Sequence, residues 1–126
     1  MPVLVDTSVW VEYFRSGEST AKLDFLIDEN LIVINDLILA ELVPFLRIQN
    51  QNKIVHLLYS IQNLGLEINW SQIIEFQCKC LKNGLNGIGI PDLIMAQNAR
   101  QNRCEIYSLD SHFSLMQDIL AFQVIG

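Results

Sequence analysis

Apolar residues recur along this chain in two rhythms, short unbroken runs and helical spacings, and their alternation predicts an α/β fold. Val3, Leu4 and Val5 read as a buried strand that stops at Asp6. Thr7 and Ser8 offer N-caps for a helix that carries Val9, Trp10, Tyr13 and Phe14 and ends at Gly17. A second helix is expected over 18–29, then a strand over 31–34 between Asn30 and Asn35, then a helix over 37–47 with Asp36 as its cap. That third helix is apolar almost all round, and Pro44 is expected to bend or divide it.

Ile54, Leu57, Leu58, Ile61 and Leu64 fall at helical spacing and predict a helix over 50–64, closed by Gly65. Residues 66–68 alternate as a brief strand. Ser71 then opens an amphipathic helix with Ile73, Ile74, Phe76, Cys80 and Leu81, ending near Gly84. Gly84, Gly87 and Gly89 lie in a loop; no strand leads into it and no Lys-Ser or Lys-Thr pair follows, so it is not a phosphate loop. Pro91 starts a helix to about Asn102, a strand over 104–109 ends at Asp110, and a short helix and a strand over 122–125 complete the chain. With no repeat or linker, the order predicts one domain over 1–126. Its expected form is a three-layer α/β/α sandwich around a mostly parallel sheet of about five strands, with ligands at the strands' carboxyl ends.

Composition narrows the function. In 126 residues, 51% are hydrophobic and 17% charged, which excludes disorder. A chain of this size buries a core without metal staples, so any metal is functional. No apolar run exceeds four residues, against the roughly 18 needed to cross a bilayer. The N-terminal residues lack the basic region and cleavage site of a secretion signal, and the expected location is cytoplasmic. The net charge of −6 argues against a general basic surface for nucleic acid, though not against a local site. Cys78 and Cys80 point about 200° apart on a helix; together with Cys104 they read as buried, reduced thiols rather than metal ligands.

Four of the fourteen carboxylates stand apart. Asp6 and Asp110 each end an apolar strand, and parallel strands would place both on one edge. Asp92 sits in the first turn of its helix, where the macrodipole favours the ionised form. Glu41 lies between apolar residues 37–40 and 42–43, with no evident solvent face and with Arg47 off its side, so its charge needs a partner. Taken singly, the three aspartates also fit helix-cap or turn roles. Together, clustered acids repel unless a cation neutralises them, and hard oxygen donors select magnesium or manganese. Such sites serve phosphate chemistry. Ser8 and Ser108 lack a histidine at triad spacing, which leaves metal-activated water as the expected attacker.

Four segments, taken in order, carry a resemblance: Val5-Asp6-Thr7-Ser8-Val9-Trp10, Leu39-Ala40-Glu41-Leu42, Pro91-Asp92-Leu93-Ile94-Met95-Ala96, and Ser108-Leu109-Asp110-Ser111-His112-Phe113. The chain resembles a PIN domain over nearly its whole length, and in particular the VapC-type toxins of bacterial toxin–antitoxin pairs. The resemblance implies a metal-dependent endoribonuclease in which Asp6, Glu41, Asp92 and Asp110 hold Mg2+ or Mn2+. Ser8 and Ser108 would be supporting polar groups, and Asp110 would tune metal binding more than create it. It also implies cleavage of transfer or ribosomal RNA, a small antitoxin that inserts a segment into the acidic groove, and a homodimer.

Other residues stay open. His112, two places after Asp110, either touches phosphate or metal or packs and caps. His56 faces away from its helix's apolar stripe and reads as solvated; Trp10, Tyr13 and Phe14 read as core or dimer contacts, and Arg15, Lys82, Arg100 and Arg103 as scattered surface cations or phosphate contacts. Two other functions are carried. One is a PIN-like binding or regulatory subunit without catalysis. The other is a magnesium-dependent phosphatase of the haloacid-dehalogenase kind, which needs a second aspartate where this chain has Ser8.

Overall fold

The structure, a computed structural model, describes residues 2–15 and 21–125. The expected helix end at Gly17, the start of the second helix at 18–20 and the loop at 16–19 lie outside the described residues. The elements run β1 (Val3–Val5), α1 (Thr7–Arg15), α2 (Ala21–Asp28), β2 (Ile32–Ile34), α3 (Asp36–Ile48), α4 (Asn52–Ser60), β3 (Gln62–Asn63), α5 (Trp70–Lys82), α6 (Ile90–Gln101), β4 (Glu105–Tyr107), α7 (Ser111–Leu120) and β5 (Gln123–Ile125).

The five strands form one sheet in the order β3-β2-β1-β4-β5, with every pair parallel. Every residue of β1 and β2 is buried, which explains why both read as unbroken apolar runs. From β1 the chain steps outward to β2 and β3 on one side, and later from β4 to β5 on the other. Right-handed crossovers running in opposite directions place helices on opposite faces. The packing agrees: α1 meets α3 and α3 meets α4, while α5, α6 and α7 meet one another. The strand order reverses between β1 and β4, where Val3 pairs with Glu105 and Val5 with Tyr107. This is the crevice in which open parallel sheets collect ligands.

Several boundaries differ from expectation. The helix over 50–64 ends at Ser60, because Ile61 turns extended and Gln62 and Asn63 pair with Val33 and Ile34. Ile61 and Leu64 still pack on the core, but from the two flanks of a strand. That strand takes up the outer edge of β2, and residues 66–68 form no strand. Pro44 does not divide α3; it and Ala40, whose carbonyl it leaves unbonded, are both on the solvent side. The caps also sit one residue earlier than expected. Asp6, not Thr7 or Ser8, precedes α1 and accepts its first backbone bonds. Asn35, not Asp36, caps α3, accepting the Ile38 N–H at 3.0 Å. At the far end of α5, Gly84 takes φ +77°, a left-handed conformation suited to a helix stop. Cys80 and Cys104 are buried, but Cys78 is exposed, since a two-residue step along a helix reverses direction.

A buried amide network locks α6 against the rest of the fold. Asn35, Gln97 and Asn98 are each at most 2% exposed. Asn35 Nδ2 donates to Asn98 Oδ1 at 2.9 Å, and Asn98 Nδ2 donates to the Gly65 carbonyl at 3.3 Å. Gln97 bonds both the N–H and the carbonyl of Asn69, the cap of α5, at 3.1 Å each. Buried amides so paired avoid the cost of desolvation and fix the position of the helix that carries Asp92.

Candidate metal centre

The carboxyl ends of β1 and β4 lie side by side, and each passes directly into polar residues. Asp6 follows β1 and is buried; Ser108 follows β4 and is buried beside it. The Ser8 hydroxyl donates to Asp6 Oδ2 at 2.8 Å and the Ser108 hydroxyl to the same oxygen at 2.9 Å. Each serine oxygen also accepts a backbone N–H, Ser8 from Leu109 at 3.0 Å and Ser108 from Asp110 at 2.9 Å. A hydroxyl has one proton, so with both given to Asp6 the 3.3 Å approach of Ser8 Oγ to Ser108 Oγ is a contact without a proton between them. The two serines orient the carboxylate of Asp6 and tie the turn carrying Asp110 to the start of α1.

Asp110 caps α7 and accepts the His112 N–H at 2.9 Å. That bond sets the first turn of α7, and His112 Nδ1 then lies 3.5 Å from Asp92 Oδ2 and 3.7 Å from Asp110 Oδ1. One donor atom from each of Asp92, Asp110 and His112 falls within 4.8 Å of the other two. Burial pushes the Asp92 carboxyl above its ordinary value, the charges of Asp110 and Asp6 push it further, and the His112 side chain pulls the other way. Partial burial among acids thus works against the ionised form that the helix end favours.

Glu41 departs from its sequence reading. It is exposed, since α3 does have a solvent side, made by Ala40, Glu41, Pro44 and Phe45. Its carboxylate accepts the Thr7 Oγ1 proton at 3.0 Å, which ties it to the residue after Asp6, but it is not among the three converging donors. Asp6, Asp92 and Asp110 are thus brought into one electrostatic neighbourhood with His112, Ser8 and Ser108 around them, while Glu41 stands at its margin. Thr7 was not singled out from the sequence as a site residue, although its place next to Asp6 was the available signal. His56 is exposed on α4, and Trp10 is fully buried against Tyr13 and Phe14 as core.

The donor set suits a divalent cation. Two half-buried carboxylates and an imidazole converge, and among the described residues no lysine or arginine pairs with these acids. Like charges held this close are stabilised by a cation, and hard oxygens favour magnesium or manganese.

No curated protein sequence matches the chain significantly. Solved structures do resemble it in fold. VapBC2 from Rickettsia felis, bound to a DNA fragment from its promoter, superposes with a TM-score of 0.77 at 21% identity, covering 99% of this chain and 98% of that one. FitAcB from Neisseria gonorrhoeae gives 0.75 at 20% identity, over 98% and 96%. VapC20 of Mycobacterium tuberculosis, a toxin that cleaves the sarcin-ricin loop, gives 0.60 at 13% identity, over 90% and 93%. The sequence profile of the PIN domain matches residues 3–118, nearly the whole chain and all three converging donors, and the chain belongs to the PIN domain family.

Proposed function

We propose that this chain is a divalent-metal-dependent endoribonuclease, the toxin of a toxin–antitoxin pair, acting on transfer or ribosomal RNA. The observation that carries the reading is the convergence of Asp92 and Asp110 at the sheet's switch point, with Asp6 close enough to raise the Asp92 carboxyl. Asp6, Asp92 and Asp110 would hold Mg2+ or Mn2+, Glu41 would join them from the edge of α3, and Ser8 and Ser108 would orient Asp6. A divalent cation bound there neutralises phosphoryl oxygens and makes water a better nucleophile. The chain's own part is to hold these carboxylates together at the sheet edge, where an acidic protein can accept a polyanion only once they are neutralised.

A small partner fits the other face of α1. Val11, Phe14, Leu42, Phe45, Leu46 and Ile54 line an apolar groove of about 360 Å³ between α1, α3 and α4. Phe45 is 61% exposed there, as suits an apolar segment of a docking antitoxin. Exposed Trp70, Ile74 and Leu81, on one side of α5, support the homodimer.

The test is cleavage of total cellular RNA by purified protein with magnesium, manganese or chelator, beside Asp6→Asn. Discrete fragments that need metal and vanish in the variant support the reading. Equal cleavage by metal-loaded Asp6→Asn overturns it.

A further inference from the structure

We propose, resting on the metal-dependent reading above, that His112 supplies an imidazole nitrogen to the metal centre beside Asp92 and Asp110 and biases it toward manganese over magnesium. The backbone that carries the ring is fixed: the His112 main-chain N–H donates to the Asp110 carboxylate at 2.9 Å, and the next residue, Phe113, is fully buried. The first turn of α7 therefore delivers the imidazole into the space between two acids from different helices, 3.5 Å from one and 3.7 Å from the other.

Those separations are of the scale a coordination shell requires. With bonds of about 2.1 Å, donors around a six-coordinate ion lie about 3 Å apart when adjacent and about 4.2 Å when opposite. The three donor atoms here all fall within 4.8 Å of one another. They have only to draw slightly inward on an ion.

The chemistry then decides which ion. Magnesium demands oxygen donors and sheds water reluctantly, whereas imidazole is a normal ligand for first-row transition ions. An oxygen-majority set with one nitrogen keeps manganese in range and puts magnesium at a disadvantage. A protonated imidazole acting only as a counter-ion to the two acids would give no such preference.

The test uses the intact chain with Mn2+ alone. Pulsed electron paramagnetic resonance of the bound ion reads nitrogen-14 modulation directly, and competition titration gives the ratio of Mn2+ to Mg2+ affinity. The chain has two histidines, and His56 is exposed on α4, so the source of a nitrogen signal is assignable with His112→Ala and His56→Ala. Nitrogen modulation is expected in the unmodified protein and in His56→Ala and lost in His112→Ala. That variant is also expected to lose about tenfold in Mn2+ affinity and less than about twofold in Mg2+ affinity. Bound Mn2+ without nitrogen modulation overturns the inference and leaves the metal-dependent reading standing. Modulation that survives His112→Ala, or equal loss of both metals, also overturns it. Failure of the unmodified protein to bind Mn2+ at all overturns the metal-dependent reading and this inference with it.

Discussion

Ser108 donates a hydrogen bond to Asp6 Oδ2 at 2.9 Å across 102 residues of sequence, joining the exits of two neighbouring parallel strands. The same oxygen accepts from Ser8, so one carboxylate draws three segments together: the end of β1, the start of α1 and the turn after β4. Ser108→Ala removes this bond and also the acceptor for the Asp110 N–H. A bond to a charged group and a stranded donor together cost about 1–3 kcal/mol, to be read from urea unfolding. Cleavage should fall about tenfold to a hundredfold, the usual effect of losing a group that orients a ligand. Ser8→Ala should act in the same direction, and because both hydroxyls serve one oxygen, the double variant should depart from additivity.

Glu41 tests whether the margin of the cluster matters. It is exposed, so Glu41→Gln should change stability by no more than about 0.5 kcal/mol. Glutamine keeps an oxygen that can accept from Thr7, and only the charge is lost. If Glu41 serves the cation, RNA cleavage should fall about tenfold or more. Thr7→Val, which frees the carboxylate without removing it, should do less. Wild-type cleavage by Glu41→Gln would remove this residue from the centre.

The legibility of the site in the sequence followed how local each signal is. Asp6 and Asp110 were visible because a buried parallel strand is an unbroken apolar run, and the polar residue that ends it marks the sheet edge. Asp92 was visible through Pro91, which lies in the first turn of α6. Glu41 stood out for a reason that fails: an apolar sequence neighbourhood is not a buried face, and α3 exposes Ala40 and Glu41 together. His112 stayed ambiguous because its role depends on a distance to Asp92, twenty positions earlier on another helix. Asn35, Gln97 and Asn98 gave no pattern at all, since their partners come from α3, α6 and the segment before α5. The strand at 62–63 was hidden for the same reason: Ile61 and Leu64 satisfy helical spacing, and only the free edge of β2 turns them into strand flanks.

Asp92 predicts a stability that depends on pH and on metal in opposite directions. Its carboxyl is raised by burial and by Asp110, so the folded state holds this proton more tightly than the unfolded chain. The stability it contributes is full below the ordinary value of 3.8 and is lost as pH rises through the raised folded value. At neutral pH without metal the ionised group is a cost. Asp92→Asn should then be more stable than the unmodified protein by roughly 0.5–2 kcal/mol, as often follows removal of a functional charge. The gain should shrink to nothing below the lower limit of that window. With Mn2+ at about a hundred times its dissociation constant, the unmodified protein gains about 2.7 kcal/mol and the variant gains little, reversing the order. Thermal melts across pH with chelator or metal measure both arms, and an unchanged order with metal would argue that Asp92 holds no cation.

Phe45 separates partner binding from chemistry. It is exposed in the groove between α1, α3 and α4, and its side chain belongs to none of the hydrogen bonds around Asp6, Asp92 or Asp110. An aromatic ring left 61% exposed beside Val11 and Ile54 contributes little to the folded monomer, so Phe45→Asp should fold normally. Burying such a ring in a complex is worth about 1.5–3 kcal/mol, and a charge in its place would have to be desolvated on docking. Affinity for the proposed antitoxin should therefore fall about tenfold to a hundredfold or more, measured by titration calorimetry. Metal-dependent cleavage by the isolated chain should be unchanged, and the variant should escape inhibition when the partner is added. Loss of cleavage with intact partner binding would place the groove on the RNA path instead.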